Sequence, residues 1–156
     1  MKKEIKVYVL SVLFTEAVGL VSGLLSRGAA RIYAETVAKP PLSPPAILFP
    51  IVWSVLYGLM GVALARAVLS PPSRDRTLGI RFFAGQLAFN FFWPLIFFNA
   101  GAFGAAFFWL LAMLGLIAAT AVFFFRADRP AAYLLIPYIV WVVFAGYLNL
   151  GVWILN

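Results

Sequence analysis

The chain has no cysteine and no histidine. Without cysteine there are no disulfides, no thiolate metal sites and no thiol catalysis. Without histidine there is no imidazole to ligate haem, bind a metal or act as a general base. Acidic residues number five in 156, and all charged residues together make up 11% of the chain. Soluble domains carry about 25%. Nothing forms a general acid–base pair, so no catalytic residue is assigned, and no metal or required cofactor is expected. What is present is apolar: 65% hydrophobic and 17% aromatic residues, with a mean hydropathy of +1.02. A soluble fold could not hide so much apolar surface, so lipid is the solvent. The net charge is +7, but the basic residues lie between apolar runs. That is a membrane-topology pattern, and no nucleic-acid partner is expected.

Five runs are long enough to span: about 7–26, 47–69, 80–98, 104–125 and 131–154. A spanning helix needs about 20 predominantly apolar residues. The runs do not alternate with period two, which excludes a barrel, and an open sheet cannot cross lipid. The fold class is therefore all-α, an integral membrane bundle of five transmembrane helices forming one domain over residues 1–156. "MKKEIK" resembles the start of a signal peptide, but the run behind it is about 20 residues long and holds Glu16, so it is taken as a retained helix. With five spans, one side carries Lys2, Lys3, Lys6, Arg66, Arg74, Arg76, Arg81, Arg126 and Arg129, nine in all. The other carries three, Arg27, Arg31 and Lys39. The positive-inside rule places the N-terminus in the cytoplasm.

One segment, "KPPLSPPAILFPIVW", holds five prolines within eleven residues: Pro40, Pro41, Pro44, Pro45 and Pro50. Ser43 is suited to N-cap the second helix, with Pro44 at its first position, where a missing N–H costs nothing. Pro40 and Pro41 hold the chain near polyproline II. The segment is expected to be a stiff strap over the mouth of the bundle.

Polar residues inside the spans are few, and each marks a site or an interhelical tie. Glu16, Tyr57 and Asn90 each lie about 14–15 Å into their helices, near the midplane of a ~30 Å core. Three polar groups at one depth are expected to meet. Glu16 is expected to sit neutral and to hydrogen-bond Asn90 or Tyr57. Gln86, Asn90 and Trp93 share one face of the third helix; Ala84 and Ala88 share the opposite one, where small residues suit close packing in a homodimer. Phe49, Trp53 and Tyr57 form a stripe on the second helix, and Trp141, Ala145 and Asn149 one on the fifth. Such stripes are commonly plain packing; three facing inward would wall an aromatic cavity for a flat, apolar ligand. Trp109 and Trp153 are expected at lipid-facing or interfacial depth.

"KPPLSPPAILFPIVWSVLYGLMGVA", "GQLAFNFFWPLIFF" and "LIPYIVWVVFAGYLN" occur in that order. Together they resemble the translocator protein family, also called the tryptophan-rich sensory proteins or TspO/MBR, over nearly the whole chain. The resemblance implies a five-helix membrane protein, often dimeric, that binds porphyrins and other tetrapyrroles in a pocket roofed by the loop between helices 1 and 2. It implies a ligand-binding set of Pro44, Phe49, Trp53, Tyr57, Asn90, Trp93, Trp141 and Ala145. It implies as well a sensor or carrier in a prokaryotic inner membrane, with membrane lipid and a tetrapyrrole as partners. Two alternatives stay open: light- and oxygen-dependent porphyrin degradation, and proton-coupled transport through Glu16. The family's lid pattern W-Y-x-x-L-x-K-P-x-W is partly met here, with Tyr33, Ala34 and Leu42 at the aromatic places. No Lys or Arg follows Tyr147, so the family's cholesterol consensus is absent and no sterol specificity is expected.

Overall fold

A helix satisfies its own backbone polar groups, and in lipid that is nearly obligatory. In the computed structural model, which describes all 156 residues, the chain is helical almost throughout. Helix α1 spans Lys2–Thr36, α2 Leu48–Leu69, and α3 Arg74–Pro94, which a π-helical turn continues over Leu95–Asn99. Helix α4 spans Phe103–Ala127, a short α5 Arg129–Tyr133, and α6 Ile136–Leu155. Taken with the π turn, α3 is one span; α5 and α6 together are another. With α1, α2 and α4 that makes five segments long and apolar enough to cross a membrane, and the protein is an integral membrane helix bundle.

The first helix does not stop at residue 26. "RGAARIYAET" contains no breaker beyond a lone glycine, so the helix runs on to Thr36, 35 residues in all. That is about 52 Å, well beyond a ~30 Å core. It ends where Pro40 approaches: Val37 is extended (φ −96°, ψ 132°), and Lys39 Nζ donates to the free carbonyls of Ala34 (2.9 Å) and Val37 (3.1 Å). The loop is therefore only Val37–Ile47.

Ser43 does not cap α2. Pro45 disfavours helical backbone at Pro44, so the helix cannot start there. The Ser43 hydroxyl instead donates to Pro40 O at 2.7 Å, in a tight turn where Leu42 takes a left-handed φ of 67°. Helix α2 begins four residues later, at Leu48, and Pro50 falls in its first turn, where no N–H is needed. Helix α3 starts at Arg74, ahead of the apolar run at residue 80, because Ser73 Oγ accepts from Arg76 N (3.0 Å) and Asp75 complements the helix dipole. The last span starts early in the same way. Asp128 caps α5 by accepting from Ala131 N (3.1 Å). It then breaks between Tyr133 and Ile136, where Pro137 lacks the N–H that a continuous helix would use.

Around the bundle the order is α1, α2, α5/α6, α4, α3 and back to α1. At the basic end, Arg66 grips Asp128 with two hydrogen bonds (2.7 and 3.1 Å) and fastens α2 to the start of α5. At the other end the seam between α2 and α6 has almost no backbone packing and is closed by side chains. Helices α1 and α2 cross tightly through small residues. A Cβ at Gly61 would stand 2.5 Å from Val12 Cα. Nearby Thr15 Oγ1 donates to Tyr57 O at 2.8 Å.

Backbone cannot step aside as a flexible side chain can. Gly61→Ala should therefore lower stability by about 1–3 kcal/mol, read as thermal unfolding of the detergent-solubilised protein. Gly23→Ala, in open space on α1, should be neutral or stabilising.

Candidate functional site

The buried centre of the bundle is a chain of polar side chains. Tyr57 OH on α2 donates to Asn90 Oδ1 on α3 at 2.6 Å. Asn90 Nδ2 donates to Tyr138 OH on α6 at 2.6 Å, and Tyr138 OH donates to Gln86 Oε1 at 2.7 Å. Gln86 Nε2 reaches Met60 Sδ at 3.8 Å. All four polar residues are buried, and each hydroxyl proton has an acceptor. The relay ties three helices at one level.

The expectation that Tyr57 and Asn90 meet is met, with Gln86 one turn below. Glu16 does not join them. It is half-buried on α1 and makes no hydrogen bond or ion pair within the chain, and its Oε1 would lie 3.4 Å from a Cβ built on Gly58. Its place against Asn90 is taken by Tyr138, which lies nine residues past Arg129, at the same ~14 Å depth as the others. Counted from residue 131 that depth was hidden.

Towards the strap, the α2–α6 seam is aromatic. Trp53 leans on Tyr57 (5.6 Å between centroids) and meets Tyr138 edge-on (6.2 Å). Phe49 meets Trp141 edge-on at 5.9 Å, and the row continues through Phe144 (5.6 Å) to Tyr147 (6.2 Å). Ala145 is half-buried among them. Trp141 Nε1 is buried without any acceptor in the protein. Trp93 Nε1, by contrast, donates to Asn149 Oδ1 (3.1 Å) and Trp109 Nε1 to Phe89 O (2.8 Å).

The strap is fixed to α6. Pro40 is buried and sits where a Cβ on Gly151 would be 2.5 Å away. Asn156 pairs with both backbone groups of Ala38 (3.1 and 2.9 Å), and Tyr147 OH donates to Pro41 O at 2.9 Å. Pro44 is half-buried within the strap, while Leu42 is 81% exposed. Tyr33 belongs to the last turns of α1, edge-on to Phe97 and Phe98.

So Phe49, Trp53, Tyr57, Asn90, Trp141 and Ala145 come together along one seam, and Pro44 lies in the strap. Trp93 does not join them; it stacks on Phe97 at 4.8 Å, towards α4. Phe144, Tyr147 and Tyr138 are additions that periodicity within an all-apolar run could not single out. Ala84 and Ala88 are exposed on another face of α3. Trp153 is 43% exposed, whereas Trp109 is half-buried and stacked on Phe89 at 4.1 Å.

The TspO/MBR family model matches residues 11–154. The chain is 35% identical to the tryptophan-rich protein TspO of Chlorobaculum tepidum, over 100% of this chain and 99% of that protein. It is 35% identical to the translocator protein of Bos taurus, covering 86% and 81% of the two chains. The protein CrtK of Rhodobacter capsulatus is also 35% identical, covering 88% and 85%.

Removing the Tyr138 hydroxyl strands both Asn90 Nδ2 and Gln86 Oε1, whereas removing that of Tyr57 strands only Asn90 Oδ1. Tyr138→Phe should therefore destabilise by roughly 1–3 kcal/mol and Tyr57→Phe by less. Denaturation in detergent reads both, and the reverse order would contradict the relay as drawn.

Proposed function

We propose, from the premise that the chain belongs to the TspO/MBR family, that it is a membrane receptor or carrier for a flat, largely apolar ligand of the porphyrin type. The ligand lies between α2 and α6, beneath the strap and above the relay. The observation that carries this reading is the Trp141 indole N–H. A buried donor with no partner costs roughly 1–3 kcal/mol, and a carboxylate or ring heteroatom of a ligand would supply the acceptor. Trp53, Phe49 and Phe144 offer faces for stacking beside it.

The seam is the natural place to open. Its backbones barely touch, so a ligand can part Phe49 from Trp141 without breaking helix–helix packing. The polar atoms of Tyr57 and Asn90 are taken up by the relay, so these residues form the floor, and a ligand would meet the ring of Tyr57 more than its hydroxyl. Above, the strap is preorganised by its prolines, which lowers the entropy cost of closing over a ligand. The name carried by the bovine relative, translocator protein, supports passage of a ligand. The nine-to-three bias of basic residues supports a cytoplasmic N-terminus with the strap outside, and the likeness to the bacterial TspO and CrtK proteins supports a prokaryotic inner membrane.

Trp141→Phe should weaken porphyrin binding by roughly tenfold, because it removes both a stacking face and the free N–H. Trp53→Phe should cost about threefold, through stacking alone. Trp153→Phe, at the bundle's surface, should bind as the parent does. Titration with a porphyrin, followed by tryptophan quenching, measures all three. Equal affinity across the series would mean that the seam does not hold the porphyrin.

The strap yields a kinetic expectation. Tyr147→Phe frees Pro41 O from its tie to α6, so porphyrin should both enter and leave faster, by about fivefold for one lost bond of ~1 kcal/mol. Stopped-flow quenching reads both rates, and unchanged rates would mean that the strap does not gate the seam.

A further inference from the structure

We propose that the face of α3 away from the seam binds one anionic phospholipid. Its phosphate lies on Arg76 and Arg81, and one acyl chain lies in the groove over Ala84 and Ala88. Every fourth residue along this face forms one ridge: Arg76, Ile80, Ala84, Ala88 and Phe92. The ridge reads from charged, through small, to aromatic.

Two clefts meet on it. One, of about 490 Å³, is lined by Pro72, Arg76, Thr77, Ile80 and Arg81. The other, of about 440 Å³, is lined only by hydrophobic residues, among them Phe14 and Val18 of α1, Leu64 of α2, and Ala84 and Ala88. Ile80 belongs to both, so a basic head end opens directly into an apolar trough. From Ile80 to Phe92 the trough runs about 18 Å, which is close to one leaflet of a ~30 Å core. The two alanines make it deep, and the larger side chains of α1 and α2 wall it.

The head end is chemically free. Arg81 makes no hydrogen bond or ion pair within the chain, and Arg76 uses only Nη1, on Ser70 O at 3.0 Å. No carboxylate lines the cleft; the nearby Asp75 is engaged by Arg126 at 3.9 Å. Planar guanidinium groups match a phosphate diester, and basic pockets between transmembrane helices take anionic headgroups. A second copy docked about a two-fold axis on this ridge would set its own arginines against these, a repulsive arrangement. An anionic lipid reverses that sign.

Native mass spectrometry of the full chain in mild detergent tests this, with phosphatidylglycerol, phosphatidylcholine of the same acyl chains, and inorganic phosphate as probes. One phosphatidylglycerol per chain should be retained in preference to phosphatidylcholine. Arg76→Gln and Arg81→Gln should each weaken it about fivefold. Arg129→Gln, at the same end but outside the cleft, should leave it unchanged. Ala88→Phe should fill the trough and reduce retention of both lipids. Equal retention of the two lipids in the unaltered protein, which requires no variant to fold, would overturn the proposal. So would an equal loss in Arg129→Gln, or displacement by millimolar inorganic phosphate, which would mark a free-anion site. Loss of dimer mass in Ala88→Phe with lipid retention unchanged would instead assign the groove to a second copy.

Discussion

Between helices in lipid there is no hydrophobic driving force, because the solvent is as apolar as the side chains. The register of α2, α3 and α6 therefore depends on the hydrogen-bonded run from Tyr57 through Asn90 and Tyr138 to Gln86. Sliding α6 by one turn, about 5.4 Å, would strand Asn90 Nδ2, the Tyr138 hydroxyl and Gln86 Oε1 in a medium that offers no replacement partners. Fewer, single bonds hold the outer helices to this core: Thr15 Oγ1 to Tyr57 O at 2.8 Å and Ser22 Oγ to Phe91 O at 2.7 Å for α1, and Trp109 Nε1 to Phe89 O at 2.8 Å for α4. Small residues let these helices come close enough to make them.

The relay also divides the molecule. On its basic side, the Arg66–Asp128 pair and close packing keep α2 and α5 together. On its other side α2 and α6 part, and only aromatic edges and the strap join them. A bundle fastened at the middle and one end can open at the other without losing its fold. That asymmetry supports placing a ligand between Trp53 and Trp141, and it explains why the strap is tied to α6 at three places: Ala38, Pro40 and Pro41.

Much of this was legible in the chain itself. Apolar length sets the five spans, and the proline cluster marks the strap. Depth counted along each helix brings Tyr57 and Asn90 to one level. What depth lacks is direction around the helix: Glu16 shares the level but points towards Gly58, and Tyr138 holds the position it was expected to fill. Hydropathy measures the part of a helix in lipid and not the helix, so α1 and α3 run further than their apolar runs. The rule that serine caps a helix lost at Ser43 to a stronger one, that Pro45 keeps Pro44 out of the helical region. The free indole N–H of Trp141 has no trace in the sequence, because a missing acceptor is a property of three-dimensional neighbours.

In the proposed function, the α2–α6 seam, floored by the relay and roofed by the strap, is the ligand chamber. A crystal structure of the full chain with a bound porphyrin tests it most directly. The ring should lie between Trp53 and Trp141, with a ligand acceptor about 3 Å from Trp141 Nε1 and the relay intact beneath it. A porphyrin seated elsewhere, with Phe49 and Trp141 still edge to face and the indole N–H still unpartnered, would contradict it.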